Sequence, residues 1–236
     1  MKILQLWLKQ IKNLGLILMM GVSMHAYSAT MSWKEEVVLH DGKIIVAERF
    51  YNLGGYPAIE SHNRTPLDET ITFVLPESNK QISWRTEYRN ELSESSSLGA
   101  LLLDVVDGVP YIATSPTGCI AYNKWGRPNP PYVLFKYVND EWKRIPLEEF
   151  PPVLVHANMM SRPDSRGLKS YYTVEQVKEQ MRGRNIAETA KTILREPVAN
   201  TAGDGITSCL ELVLYKGKWI MPNDPVMRAI LDRKSK

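Results

Sequence analysis

Several signatures of chemistry are missing from this chain of 236 residues. It contains no G-x-S-x-G, which excludes the elbow-type serine hydrolases whose nucleophile sits on a sharp strand-to-helix turn. No G-x-x-x-x-G-K-[ST] is present to cradle a phosphate, and no G-x-G-x-x-G to open a dinucleotide site. The nearest glycine cluster, Gly203-Asp204-Gly205, reads as a flexible connection. Histidine is scarce: beyond residue 29 only His40, His62 and His156 occur, none spaced as H-x-H or H-x-x-x-H. A zinc site would need three distant segments to converge, so neither a metal nor a cofactor is expected. The adjacent acids Glu35-Glu36 and Glu148-Glu149 would point to opposite faces of a strand, which makes them poor glycosidase pairs.

Excess charge is missing as well. Residues 1–29 carry Lys2, Lys9 and Lys12 and no acid, and the remaining chain holds 26 basic and 26 acidic residues, interspersed. That balance excludes the basic stripe that phosphate-backbone binding needs, and with it nucleic acid as a partner. It also excludes a polybasic membrane patch.

The N-terminus has the three parts of a secretory signal: lysines up to Lys12, an apolar stretch from Leu14 to Val22, and small residues in Ala26-Tyr27-Ser28-Ala29. Cleavage after Ser28 puts Ala26 and Ser28 at the −3 and −1 positions, whereas cutting after Ala29 would put bulky Tyr27 at −3. The expectation is therefore a signal peptide over 1–28 and a single domain over 29–236, periplasmic or secreted. The competing reading is an uncleaved anchor, but Leu14–Val22 falls well short of the ~20 apolar residues that cross a bilayer. No cysteine lies near the cleavage site to carry a lipid, and no later run is apolar enough to span a membrane.

Two cysteines, Cys119 and Cys209, are all that the chain has. In an oxidising compartment they have only each other, so a disulfide is the leading expectation. Two buried thiols come second, and a Cys119 nucleophile with His156 as its base comes third, because a reactive thiol does not persist easily where disulfides form.

What the chain does contain is strand, tight turn, strand. Asp41-Gly42 between Val37–His40 and Lys43–Val46, and Asp107-Gly108 between Leu101–Val106 and Val109–Ala113, suit two-residue hairpin turns. Further hairpins are read around 76–80, Asn139-Asp140 and Lys216-Gly217. Pro110 points to a sheet edge or an irregular strand start. The pattern predicts a mainly β fold of antiparallel hairpins, sandwich-like or propeller-like. The propeller idea rests on a Trp-centred hairpin used twice: Phe135-Lys136-Tyr137 leads to Trp142 and Ile145-Pro146, as Leu214-Tyr215 leads to Trp219 and Met221-Pro222. A mature chain of 208 residues would hold only four or five blades of about 40. Helix is expected near 173–195, opened by the capping-box spacing Thr173-Val174-Glu175-Gln176 and continued by the amphipathic run Ile186–Leu194. A short C-terminal helix should begin at Asp224-Pro225.

The most distinctive segment is Trp125-Gly126-Arg127-Pro128-Asn129-Pro130-Pro131-Tyr132. Its prolines stiffen the chain, so Trp125, Arg127 and Tyr132 would lose little entropy on binding a saccharide or peptide ligand. The alternative is that Trp125 and Tyr132 plug one end of the β core. Continued through Tyr137, Trp142 and Ile145-Pro146-Leu147, the segment resembles uncharacterised secreted proteins of Gram-negative bacteria with a W-G-x-P-x-P-P-Y … W-x-x-I-P-L pattern. The resemblance covers Asp107 to Pro151. It implies export and a single β domain, and brings no activity, cofactor or site residue.

The functional expectation is an exported, non-catalytic binding or envelope-associated protein, its ligand unspecified, with an envelope protein as a further candidate partner. The runner-up is a periplasmic hydrolase whose catalytic groups come from separated loops. His62 or His156 in a cleft beside a carboxylate and a hydroxyl would favour the enzyme.

Overall fold

The computed structural model describes residues 29–54, 64–87, 98–182, 187–199 and 205–234. Residues 1–28, where a signal peptide is expected, His62 and most of the Ala199–Gly205 loop lie outside the described residues. Among those described the fold is mainly β. Strands β1 (Ala29–Val38), β2 (Ile44–Gly54), β3 (Thr65–Val74) and β4 (Gln81–Glu87) form an antiparallel meander, and the two-residue β9 (Tyr171–Tyr172) adds in parallel to β1, giving the order β4-β3-β2-β1-β9. A second meander joins β5 (Leu98–Val106), β6 (Val109–Pro116), β7 (Val133–Val138) and β8 (Glu141–Ile145). Near the C-terminus β10 (Val213–Tyr215) and β11 (Lys218–Ile220) pair only with each other.

The two large sheets face each other. Val37, Ala47, Ile71, Phe73, Ile82 and Trp84 of the first interdigitate with Leu98, Leu103, Ile112, Val133 and Phe135 of the second in one buried cluster. A fully buried side chain of this size stabilises by roughly 1.5 to 3 kcal/mol. The second sheet is covered on its other side too, where Leu102, Ala113, Leu134 and Ile145 meet Phe150, Leu154 and Ile193. The arrangement is a sandwich. No propeller blade forms, because the two Trp hairpins have different surroundings: Tyr137 pairs with Trp142 at the edge of a four-stranded sheet, while Leu214 and Trp219 pair in an isolated ribbon.

All five hairpins are present. Asp107-Gly108, Asn139-Asp140 and Lys216-Gly217 each place both central residues at positive φ, the signature of the tight two-residue turn. Asp41-Gly42 differs: only Gly42 has positive φ, and Leu39 N–H reaches Lys43 O (2.8 Å) while Gly42 N–H reaches Leu39 O (2.9 Å). This is a longer turn with His40 on it, held from outside by Asp104, as described below. Pro110 lies within β6, where pairing with β7 starts only at Tyr111. Its missing N–H therefore breaks no ladder.

Helices form at α1 (Cys119–Lys124), α2 (Val174–Arg182) and α3 (Pro225–Lys234). Gln176 Oε1 accepts from Thr173 N–H (3.2 Å), one half of the expected capping box, and Asp224 Oδ1 accepts from Met227 N–H (2.9 Å) at the start of α3. The second amphipathic run is not α-helical. Residues 188–190 make one 3₁₀ turn, after which Ala157 N–H binds Lys191 O (2.9 Å) and Ile193 N–H binds Val155 O (2.7 Å). Its backbone is spent on the neighbouring 155–157 segment, so the apolar residues follow that pairing and not a helical face.

Cys119 and Cys209 are bonded, with S–S 2.04 Å and Cα–Cα 5.3 Å. The bond ties α1 to the segment leading into β10. No helix among the described residues is long and apolar enough to cross a membrane.

Candidate functional site

The structure engages the three aromatic and basic residues of the proline-rich segment in internal contacts. Tyr132 is buried, and its hydroxyl lies 2.8 Å from Thr192 O and 2.9 Å from Thr189 O while accepting from Leu194 N–H. Arg127 donates to Leu210 O (3.0 Å) and Cys209 O (2.8 Å) and sits over the Tyr122 ring, fastening the disulfide segment to α1 beside Asn123. Trp125 is half-buried, edge-on to Phe135 at the rim of the main core. An open cleft of about 570 Å³ on this side is lined by Tyr132, Pro128, Pro130 and Arg195, but not by Trp125 or Arg127. The three side chains therefore do not converge on one surface.

A different cleft, of about 340 Å³, brings together elements from across the chain. Val38 at the end of β1 and Leu39 and His40 on the turn after it contribute, β5 contributes Leu102 and Asp104, the 153–158 segment contributes His156, and α2 closes it with Val174, Val177, Lys178 and Met181. Its walls are largely aliphatic.

The polar end is built on Asp104. One carboxylate oxygen accepts from His40 N–H (2.8 Å), and the other meets His40 Nδ1 (2.7 Å) and accepts from Val105 N–H (2.7 Å). The Asp104 side chain is 4% exposed and the His40 side chain 24%. In a neutral imidazole, Nδ1–H donation to this carboxylate leaves the lone pair on Nε2, free to accept a hydrogen bond. Glu36 also lines the cleft, but its two oxygens accept from Tyr171 Oη (2.8 Å) and from Val174 N–H (2.9 Å) at the first turn of α2. An acid at a helix N-terminus is well placed to satisfy open backbone donors. Asn158 is similarly occupied: Nδ2 donates to Val38 O and Leu103 O, and Oδ1 accepts from Leu103 N–H, pinning the two sheets together.

His156 and carboxylates thus meet in one cleft, yet among the described residues no serine, threonine, cysteine or tyrosine lines it. Nor do the described residues place three or more His, Cys, Asp or Glu side chains so as to hold a metal. Cys119 is consumed by the disulfide.

In the sequence His40 is only one of three widely spaced histidines beyond residue 29, and Asp104 draws no notice. A signal exists: Asp104 interrupts the otherwise apolar run Leu101–Val106. A lone acid inside a buried strand must find donors, and here they come from the tip of another hairpin.

No family model, no curated protein and no solved structure matches this chain.

Proposed function

We propose that this is an exported, non-catalytic binding protein that holds a small amphipathic ligand in the His40–Asp104 cleft. The observation that carries the reading is a preformed, largely aliphatic cleft with a polar end, lined among the described residues by no hydroxyl or thiol side chain. Glu36 and Asp104 give their oxygens to the fold, so the groups facing a ligand are the imidazoles of His40 and His156 and the ammonium of Lys178. Those groups favour an anionic or hydrogen-bonding head on an apolar body. The disulfide and the three-part N-terminus support export to the periplasm or beyond.

Calorimetric titration with octanoate tests the binding reading: saturable binding is expected, weakened at least tenfold by Met181→Glu. The enzyme reading is tested on the same preparation with 4-nitrophenyl octanoate. Turnover abolished by His40→Ala, with no octanoate binding, would overturn the proposal in favour of a hydrolase that uses water activated at His40. Export is checked by intact mass of the purified protein, which should begin at Ala29; Met1 on a cytoplasmic form would contradict it.

A further inference from the structure

The inner face of the first sheet carries three buried charges where its alternation calls for apolar residues: Glu35 on β1, Arg49 on β2 and Glu69 on β3, each at most 1% exposed. Arg49 is the hub. Its Nη1 donates to Glu35 Oε1 (3.0 Å) and Met160 O (3.2 Å), its Nη2 to Tyr51 Oη (3.0 Å), and its Nε to Glu69 Oε1 (2.6 Å). The guanidinium also sits over the Trp33 and Tyr51 rings. Burial works against its charge, but Glu69, Tyr51 and Glu35 outweigh that and hold it cationic.

One atom of this cluster is left over. Both Arg49 contacts to Glu69 fall on Oε1, and the buried Oε2 has no hydrogen-bond partner among the described residues. A second orphan lies nearby: Arg162 Nη1 is buried without a partner, its guanidinium 5.9 Å from the Tyr51 ring centre. Glu69 and Arg162 line one cleft of about 390 Å³, distinct in its lining from the His40 cleft, whose remaining wall includes Tyr51, Pro66, Ala100 and Pro116. A buried carboxylate oxygen and a buried guanidinium nitrogen each left unsatisfied cost the fold their full desolvation, which a ligand would recover.

We infer that this cleft binds a free α-amino acid with an apolar side chain, its ammonium on Glu69 Oε2 and its carboxylate on Arg162. The Arg49 guanidinium also lines the cleft but is committed to Glu35, Tyr51 and Glu69 Oε1, so the open carboxylate oxygen and the open guanidinium nitrogen call for one positive and one negative group on the ligand, which a zwitterion supplies. Charge-assisted bonds of both kinds are the stronger class. Pro66, Ala100, Leu101 and Pro116 suit an aliphatic or thioether side chain, while Ser115, Thr117 and Ser161 make the rest of the lining polar.

The test is calorimetric titration of the full mature protein with L-leucine, L-valine and L-methionine, each beside its methyl ester and its N-acetyl form. At least one free amino acid should bind saturably, with a tenfold or greater loss for both blocked forms, since each removes one of the two charges. Arg162→Gln should weaken that binding at least tenfold while circular dichroism and the urea midpoint stay near wild type. Arg162 carries the mutational arm because Glu69 is wedded to Arg49 and its loss threatens the fold. Absence of saturable binding for all three amino acids would overturn the inference, as would an ester that binds as tightly as its parent or an Arg162→Gln protein of unchanged affinity.

Discussion

From Trp33 to Val37 on β1, Ile45 to Tyr51 on β2 and Glu69 to Phe73 on β3 the inward-facing side chains alternate with outward ones, yet the two ends of that face differ in kind. At one end Val37, Ala47, Ile71 and Phe73 press on the second sheet. At the other, Glu35, Arg49 and Glu69 occupy equivalent positions of the pleat, with Trp33 and Tyr51 stacked beside them at 5.4 Å. The side chains at both ends are buried. The apolar end gains transfer free energy from burial, whereas the ionic end must first lose the hydration of three charges and then recover it through geometry. Alternation therefore sets which residues are buried, and their chemistry sets whether burial stabilises.

The sharpest way to break the comparison is Arg49→Met. Removing the hub strands two carboxylates inside the sheet, and urea unfolding should register a loss of about 3 to 5 kcal/mol. A loss under about 1 kcal/mol would mean that the carboxylates had found protons or water, and that the two ends differ less than the geometry implies. At the apolar end, Ile71→Val deletes one methylene from a fully buried site and should cost about 0.5 to 1.5 kcal/mol, measured the same way.

A pH series separates the ends further. Burial pushes the Glu35 carboxyl above the ordinary glutamate range, against the opposing pull of Arg49 and the hydrogen bond from Trp33. The native protein thus holds that proton more tightly than the unfolded chain. The resulting stability is complete below the ordinary glutamate range and is lost as pH rises through the raised native value. The stability of wild type minus that of Glu35→Gln should accordingly fall as pH rises; a difference that grows with pH would be the wrong sign. The smallest effect belongs to the solvated face, where Lys34 and Glu48 pair at 3.9 Å with both side chains about half exposed. Lys34→Ala should shift stability by no more than about 0.5 kcal/mol.

Much of the architecture was legible because turns and alternation are local. Three of the five hairpins fold with the two-residue turns their dipeptides favour, and the Asp224-Pro225 start of α3 is where its cap chemistry puts it. The Ile186–Leu194 run misled because a helical period in side chains cannot reveal that the backbone is claimed by a distant segment. The candidate sites were harder to see for the same reason. His40 meets Asp104 across 64 positions, and Arg49 meets Glu35 and Glu69 from three strands. The available clue was a charge in phase with apolar neighbours: Trp33-x-Glu35-x-Val37, Ala47-x-Arg49-x-Tyr51, Glu69-x-Ile71-x-Phe73. The adjacent acids Glu35 and Glu36 do part to opposite faces, one into this cluster and one onto the helix α2. In the conspicuous segment 125–132, by contrast, Arg127 holds the disulfide segment and Trp125 packs at the core rim.

The central claim is that the apolar end holds this face together and the ionic end does not. Equilibrium urea unfolding of the triple variant Glu35→Gln, Arg49→Met, Glu69→Leu tests it most directly, because the charges leave together and the Glu35→Gln change keeps a side-chain oxygen to accept from Trp33 Nε1. The triple variant should unfold cooperatively, with a midpoint equal to or above that of wild type. A midpoint lowered by as much as the Arg49→Met single variant would contradict it, and would make the ion cluster a structural element of the sheet.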